Sequence, residues 1–270
     1  MIMIKNFVYI TLLILAVSLS LLSCSSSDSH SLKVGVTAGP EQEIAEAAKA
    51  EAKERFGLEV KLITFNDYVM PNEALHNKDI DINAFQHLPY LETQSKQRGY
   101  HLIEVGKTFI YPITAYSKKI RDLSELKKGG TVAIPNDPTN GARALLLLEK
   151  HGLISLDPNA GTSPKLLDIQ ENPLSLKILE IEAPQLPRVL DDKEVIIAII
   201  NNTFSAQAGL DYAQHGLFQE ESDSPYVNLI VARKDNYDSE QVRQFVEAYQ
   251  SERVAEKAKE IFGDSAIKGW

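Results

Sequence analysis

Val132–Gly152 has the sequence VAIPNDPTNGARALLLLEKHG, and its strand–turn–helix pattern decides the fold. The apolar residues Val132–Ile134 are typical of a strand, and the proline, asparagine and aspartate that follow are typical of a turn. A helix is predicted from about Thr139, with threonine or asparagine capping its first N–H groups. It ends at Lys150–Gly152, where basic side chains face the negative end of the helix and glycine permits the left-handed residue that stops it.

Arg143 lies about one turn into this helix. Unpaired backbone N–H groups at a helix start can hold an anion, and an arginine can bind a carboxylate through two parallel hydrogen bonds. The alternative is an ordinary helix start with a surface arginine. These residues alone do not decide between the two interpretations.

The composition narrows the class of protein. The chain has 270 residues, of which 44% are hydrophobic and 24% charged, so it predicts one large or two modest folded domains. A formal charge of -9 argues against a nucleic-acid binder, which needs a basic face. One cysteine excludes an internal disulfide, and the six histidines lack ligand spacing, so we expect no metal and no cofactor.

The amino-terminal segment explains the single cysteine. Residues 1–23 carry one charge and then an apolar run that is short for a membrane span but typical of a secretion signal. The run ends in Leu21-Leu22-Ser23-Cys24, which resembles a bacterial lipobox, where the cysteine is acylated and becomes the new amino terminus. The alternative is a free cysteine in a cleaved or anchored segment. Residues 24–31 then form a flexible tether between the lipid membrane and the folded part.

The chain continues with a strand at Leu32–Thr37, a helix at Glu41–Phe56 and a strand at Leu58–Thr64. This β-α-β order predicts parallel strands joined by a right-handed crossover. Later strands are predicted at Ile80–Phe85, in two pieces of His101–Tyr116, and at Val132–Ile134, Lys177–Ile181, Val195–Ile200 and Tyr226–Arg233. Later helices are predicted within Asp67–Asn77, at Tyr90–Arg98, Arg121–Lys128 and Gln185–Asp191, and at Ser239–Tyr249 and Ser251–Phe262.

These elements form two α/β units. The first sheet is predicted before Tyr111 and the second between about Ala115 and Pro225. Open α/β sheets bind ligands beyond the carboxyl ends of their strands, so two facing units would form a ligand cleft between two lobes.

Five runs of sequence carry a family resemblance: NDYVMPNEAL (66–75), DINAFQHLPYL (81–91), FIYPITAYSKKI (109–120), VAIPNDPTNGARALLLL (132–148) and SPYVNLIVAR (224–233). They resemble the NlpA/MetQ family, the methionine-binding lipoproteins of bacterial ABC importers. The resemblance covers essentially the whole chain, including the lipobox and the final KGW. This chain departs from the family's pattern at Asn140–Arg143, where it has Asn-Gly-Ala-Arg in place of the expected Asn-Leu-Gly-Arg. The arginine keeps its position.

This resemblance implies a type II periplasmic-binding-protein fold, in which two lobes close on one ligand. Lobe 1 would comprise residues 32–110 and 229–270, and lobe 2 residues 111–228, with hinge crossings at both ends. The ligand residues it implies are Tyr68, Phe85, His87 and Tyr90 in the first lobe, Arg143 and Asn201 in the second, and Asn228 in the returning strand.

These side chains suit a free amino acid. Arg143 can bind the carboxylate, and the amide oxygens of Asn201 and Asn228 can accept from the ammonium group. The thioether of methionine favours aromatic rings, which the two tyrosines and the phenylalanine provide.

Each residue has a structural alternative. The three aromatic residues could belong to an ordinary core, and His87 could be a turn residue bonded to the backbone. Asn201 could simply end a strand, with Asn202 making the contact instead. Asn228 lies inside a strand, where asparagine is unfavourable, and that conflict indicates a function.

Enzyme chemistry has little support in the sequence. No serine lies in a nucleophile elbow, the pair Asp79/Asp81 suits a solvated or capping role, and Asp191-Asp192 and Glu220-Glu221 have the pattern of exposed loop charges. We therefore predict a monomeric, non-enzymatic lipoprotein that captures L- and possibly D-methionine outside the membrane, facing the periplasm or the cell exterior. It would deliver methionine to an ABC permease with a cytoplasmic ATPase. The alternatives are a receptor for another small amino acid or short peptide, and a surface interaction or adhesion lipoprotein.

Overall fold

The computed structural model describes residues 31–221 and 224–270. The predicted signal peptide, the lipidation site at Cys24 and the tether up to residue 30 lie outside the described residues. Leu32–Trp270 forms one compact unit. Among the helices of the described segments, none has the length and apolar character needed to cross a bilayer.

The strands form two main sheets. They are β1 (Leu32–Thr37), β2 (Val60–Phe65), β3 (Ile82–His87), β4 (Leu102–Ile110), β5 (Thr114–Tyr116), β6 (Thr131–Pro135), β7 (Ser155–Leu156), β8 (Ile169–Glu171), β9 (Lys177–Ile181), β10 (Val195–Ile200), β11 (Gly216–Gln219), β12 (Val227–Arg233) and β13 (Ile267–Lys268). The first sheet has the order β13-β4-β12-β3-β1-β2 and the second β11-β5-β10-β6-β9, while β7 pairs with β8 alone. The predicted α/β class with two sheets is confirmed.

The helices connect and cover these sheets. They are α1 (Pro40–Phe56), α2 (Met70–His76), α3 (Leu88–Arg98), α4 (Pro138–Lys150), α5 (Leu186–Val189), α6 (Asn202–Gln207), α7 (Tyr212–His215), α8 (Glu240–Tyr249) and α9 (Glu252–Phe262). Ser239 caps α8 and Ser251 caps α9, each accepting a backbone N–H of the first turn.

The first sheet combines parallel and antiparallel pairs. β1 runs parallel to β2 and β3, and β12 runs antiparallel to β3 and β4. Its core includes Val34 and Val36 from β1, Ile44 from α1 and Phe245 from α8. The predicted strand at Leu32–Thr37 is therefore confirmed with the same bounds.

The second sheet has β10 at its centre. The run VIIAII is parallel to β6 and antiparallel to β5, which explains why it is apolar throughout. α4 packs on this sheet through Leu145 and Leu148, which have 1% and 0% exposure.

The chain passes between the sheets twice. It leaves β4 at Ile110 and enters β5 at Thr114, and it leaves β11 at Gln219 and returns in β12 from Val227. The predicted lobe boundary between residues 228 and 229 falls inside β12.

Three sequence predictions need correction. Arg121–Lys128 is not an α-helix but contains one 3-10 turn at Leu123–Glu125, held by a capping box from Asp122. Gln185–Asp191 is shorter than predicted, since a 3-10 turn precedes the four residues of α5. The third strand lies two residues later than predicted, at Ile82–His87, because its hydrogen-bonded register with β12 extends to His87.

Candidate functional site

A cavity lies between the two sheets, where β3, β6 and β10 end. About 370 Å³ of empty space lies among its lining atoms, including the gaps between them and the solvent at its opening. It is lined by Tyr68, Phe85, Gln86, His87, Tyr90, Tyr111, Asn140, Arg143, Asn201, Asn202, Thr203 and Asn228. All seven predicted ligand residues are therefore brought together at one cavity.

Three aromatic rings form one wall of the cavity. The ring centroids of Tyr68, Phe85 and Tyr90 are 5.9–6.2 Å apart. The hydroxyl of Tyr90 donates to the backbone carbonyl of Tyr68 at 2.8 Å, which fixes the loop before α2 against α3. Burial raises the pKa of both tyrosines, so their hydroxyls stay neutral. The wall is therefore aromatic and uncharged.

His87 joins the aromatic wall to the polar side. Its Nδ1 accepts the N–H of Tyr90 at 3.2 Å, so it caps α3 as the turn interpretation predicted. Its Nε2 then carries the proton and donates to Oδ1 of Asn140 at 3.3 Å. Burial, and next the positive charge of Arg143, lower the pKa of His87 to about 3, so the ring is neutral at physiological pH.

Arg143 is buried to 3% exposure, so the surface-arginine alternative is wrong. Its Nε donates to Oε1 of Glu220 at 2.5 Å, and its Nη2 donates to Oε2 of the same carboxylate and, at 2.8 Å, to the carbonyl of Tyr111. The guanidinium carbon lies 4.4 Å from the ring centre of Tyr226. Tyr111 lies in the crossing from β4 to β5, and Glu220 lies in the crossing from β11 to β12. Arg143 therefore links α4 to both crossings between the sheets.

This geometry corrects two predictions. Glu220 is not an exposed loop charge, since its side chain has 12% exposure and pairs with Arg143. Glu221 is exposed and pairs with Lys150. The Nε–Nη2 edge of Arg143 also does not offer two parallel hydrogen bonds to a ligand, because Glu220 takes that edge. Within residues 31–221 and 224–270, Nη1 makes no hydrogen bond, so it is the nitrogen left for a ligand.

Asn201 presents an acceptor to the cavity. It stands at the N-cap position of α6 but makes no capping hydrogen bond. Its Nδ2 donates instead to Oδ1 of Asn140 at 2.8 Å, and its own Oδ1 is buried without a hydrogen-bond partner among the described residues. A buried carbonyl oxygen without a donor is costly unless a ligand supplies one. Asn202, the alternative contact, also lines the cavity but directs its Nδ2 to the carbonyl of Ser265 at 3.4 Å.

Asn228 lies in β12 beside the apolar residues Leu229–Ala232. Its Nδ2 donates to the carbonyl of Phe85 at 3.2 Å across the β3–β12 pair. The amide nitrogen is engaged, whereas Oδ1 accepts no hydrogen bond from the part of the chain that the structure describes. This asparagine is therefore placed to accept from a ligand beside the aromatic wall.

The start of α4 is organised differently from the prediction. The cap is Asp137, whose Oδ1 accepts the N–H of Asn140 at 2.9 Å, and not a threonine or asparagine. The helix start therefore already holds a carboxylate of the chain and is not the open anion site that was predicted. A Cβ at Gly141 would lie 2.9 Å from the carbonyl oxygen of Pro135, so glycine lets α4 start close to the end of β6.

The sequence interpretation missed several lining residues. Asn140 accepts from both His87 and Asn201, and its position three residues before Arg143 on the same helix face was a usable signal. Tyr111 contributes a backbone carbonyl, which the sequence does not indicate.

Asp81, by contrast, lies outside the cavity and accepts the N–H of Lys33 at 2.8 Å.

Elements that belong to the two sheets touch directly around the cavity. The rings of Tyr68 and Phe204 are 4.8 Å apart, and Nε2 of Gln207 donates to the carbonyl of Ala38 at 2.5 Å. Thr203 in α6 donates to Oε1 of Glu41 in α1 at 2.7 Å. Elements of both sheets are therefore in direct contact beside the cavity.

Glu41 gives this contact a pH dependence. It is 3% exposed, and burial raises its pKa to about 7 although the nearby hydroxyls of Thr203 and Thr37 act in the opposite direction. Burial, and to a smaller extent the charge of Glu41, raises the pKa of Tyr68, Tyr111 and Tyr249, which are neutral. The raised pKa means that the folded protein binds the proton more tightly than the unfolded chain. This stabilisation is complete below about pH 4.5 and is lost as the pH rises to about 7.

We expect Glu41→Gln to remove this loss. Between pH 4.5 and pH 7, the free energy of unfolding should fall by ~3 kcal/mol more in the wild type than in Glu41→Gln. Denaturant titrations at several pH values measure it, with Glu46→Gln, an exposed position on the same helix, as the control. Parallel pH profiles for the wild type and Glu41→Gln would contradict the assignment.

Residues 31–221 and 224–270 contain no group of three histidine, cysteine or acidic side chains that could hold a metal ion. What the cavity offers is one arginine nitrogen, the amide oxygens of Asn201 and Asn228, and an uncharged aromatic wall. This arrangement can bind a small molecule that has an anionic group, a donor group and an apolar part.

A family model described as NlpA lipoprotein matches residues 32–270. The chain belongs to the NlpA lipoprotein family. The D-methionine-binding lipoprotein MetQ of Salmonella typhimurium is 58% identical to it over 255 residues, which cover 94% of this chain and 94% of MetQ.

Solved structures of other proteins share the fold. A nutrient binding protein from Burkholderia cenocepacia bound to methionine is 46% identical, with a TM-score of 0.86 over 88% of this chain and 100% of that one. A periplasmic substrate-binding protein of an ABC transporter from Coxiella burnetii is 47% identical, with a TM-score of 0.85 over 88% and 100%. The fold of this NlpA family member is thus that of periplasmic substrate-binding proteins, as predicted.

Proposed function

We propose that this protein is the substrate-binding lipoprotein of an ABC importer and that it captures methionine in the cavity between its two sheets. The observation that carries the proposal is the arrangement of unpaired groups: Nη1 of Arg143, the buried Oδ1 of Asn201 and the aromatic wall of Tyr68, Phe85 and Tyr90. Relatives named for methionine binding support it.

In this proposal each part of methionine has a counterpart. The carboxylate binds Nη1 of Arg143, and the ammonium donates to the amide oxygens of Asn201 and Asn228. The thioether side chain lies against the three rings, where sulfur–aromatic contacts are favourable. The lobe that contains the first sheet and the lobe that contains the second sheet close on the ligand, with the two crossings, after Ile110 and before Val227, as hinges. The protein carries out no covalent chemistry.

Mass spectrometry of the protein purified without refolding tests the function. We expect methionine to be released from the native protein on denaturation. Release of a different amino acid or a short peptide would move the assignment to a broader amino-acid receptor. Absence of any ligand, together with no binding of added methionine, would favour a surface interaction protein and contradict the proposal.

The proposed partners follow from the anchor. We infer that Cys24 is acylated and holds the protein at the membrane, facing the periplasm or the cell exterior. There it acts as a monomer and meets the permease subunit, whose ATPase lies in the cytoplasm.

Cys24→Ala should release the protein from the membrane. Without the thiol no lipid can be attached, and the apolar run before it is short for a membrane span. Cell fractionation with metabolic lipid labelling measures this, and Ser27→Ala is the control that keeps the cysteine. Wild-type protein that carries no lipid and fractionates with soluble proteins would show the anchor assignment to be wrong.

A further inference from the structure

The carboxylate of Glu220 lies at the crossing from β11 to β12 and is held by four donors. Arg143 donates from Nε and Nη2, while the N–H of Ile113 and the hydroxyl of Ser224 each donate to Oε2 at 3.3 Å. Its side chain is 12% exposed. A carboxylate that accepts this many hydrogen bonds at low exposure is fixed in place.

Glu220 changes what Arg143 can offer. Three of the five guanidinium N–H groups are used inside the protein, by Glu220 and by the carbonyl of Tyr111. The ring of Tyr226 covers one face. The N–H groups of Nη1 have no protein partner in residues 31–221 and 224–270, and they remain for the cavity. The cation therefore reaches the ligand from one nitrogen only.

The pair also sets the charge of the site. Arg143 is the cavity-lining residue that carries a formal charge at neutral pH, because burial lowers the pKa of His87 and raises that of the lining tyrosines. The charge of Glu220 balances that of Arg143. The pair is therefore neutral overall, and it leaves the site polarised, with a positive guanidinium at one point and amide oxygens at another. A zwitterionic α-amino acid has the same property.

We propose that Glu220 is a specificity-determining residue that makes the cavity select zwitterionic α-amino acids over carboxylates that lack the α-ammonium group. The proposal rests on the proposed function, since it assigns the ligand carboxylate to Arg143. Were Arg143 unbalanced, a buried positive site would attract any carboxylate of suitable size. With Glu220 beside it, a lone anion meets both an attractive and a repulsive charge. A carboxylate that lacks the α-ammonium group also supplies no donor to the buried Oδ1 of Asn201.

Removal of the Glu220 charge tests this by ligand preference. We would titrate wild type, Glu220→Gln, Glu220→Ala and Glu220→Asp with L-methionine and with its 2-oxo acid, 4-methylthio-2-oxobutanoate, using calorimetry. We expect the preference of the wild type for methionine over the oxo acid to fall by about tenfold or more in Glu220→Gln and Glu220→Ala. The oxo acid itself should bind these variants more tightly than it binds the wild type. Glu220→Asp keeps the charge and should keep the preference.

Ser224→Ala is the matched control, because it removes one hydrogen bond to Oε2 without changing any charge. If Glu220 only held the two crossings in position, its removal would reduce the affinity for both ligands by the same factor. An unchanged preference in both charge-removing variants, or equal loss for both ligands, would overturn the proposal. Failure of the wild type to bind methionine would contradict the proposed function instead. The oxo-acid affinities of wild type and variants would still decide whether Glu220 disfavours lone carboxylates.

Discussion

Arg143→Ala is expected to reduce the affinity for methionine by about 2–5 kcal/mol, which corresponds to roughly 30- to 4000-fold. The substitution removes the cation that meets the ligand carboxylate. It also leaves the carboxylate of Glu220, at 12% exposure, without its main partner and close to a second negative charge. Calorimetry measures the affinity, and small-angle scattering should show that the variant stays open when methionine is added.

Arg233→Ala is the matched control for this loss. Arg233 is also largely buried, at 12% side-chain exposure, and donates to the carbonyls of Leu75 and Ile80, away from the cavity. Its removal should leave the affinity close to that of the wild type. Tyr90→Ala should lose less affinity than Arg143→Ala, because a truncated ring removes contact area but strands no charge. Normal binding and closure by Arg143→Ala would contradict the carboxylate assignment.

Methionine should bind more tightly than glutamate and lysine by orders of magnitude. The wall formed by Tyr68, Phe85 and Tyr90 contains no charge to meet a charged side chain, and Phe85 and Tyr90 are 4% and 3% exposed. A charged ligand side chain would therefore be desolvated there without compensation. Competition calorimetry against bound methionine measures the difference.

Apolar ligands test the same wall more finely. Leucine, which is branched and lacks sulfur, should bind more weakly by about 1–3 kcal/mol. Norleucine has the unbranched shape of methionine without the sulfur, so it isolates the sulfur–aromatic contribution. Its affinity should lie between those of methionine and leucine. Leucine or glutamine binding as tightly as methionine would require a broader substrate class.

The sequence predicted the elements whose signals are local. Leu32–Thr37 and Val195–Ile200 were predicted with the bounds they have, because their apolar runs are bounded by clear turns or polar residues. The helix predicted at Arg121–Lys128 does not form. It would have had only Leu123 and Leu126 to bury, and the capping box of Asp122 stabilises a single tight turn instead.

The positions of the seven predicted ligand residues could be expected from the family resemblance, but their interactions could not. Glu220 is 77 residues away from Arg143 in sequence and stands beside a second glutamate that is exposed. Only the crossing between the sheets brings the pair together. The capping role of Asp137 was missed because Thr139 and Asn140 are equally good caps by residue type.

A crystal structure of the protein with L-methionine tests the central claim most directly. The account predicts the ligand in the cavity between the two sheets, with its carboxylate within hydrogen-bond distance of Nη1 of Arg143 and its ammonium on Oδ1 of Asn201. Its sulfur should contact the rings of Tyr68, Phe85 and Tyr90, and the pair Arg143–Glu220 should be intact. Methionine bound in the opposite orientation, or bound outside this cavity, would contradict the account.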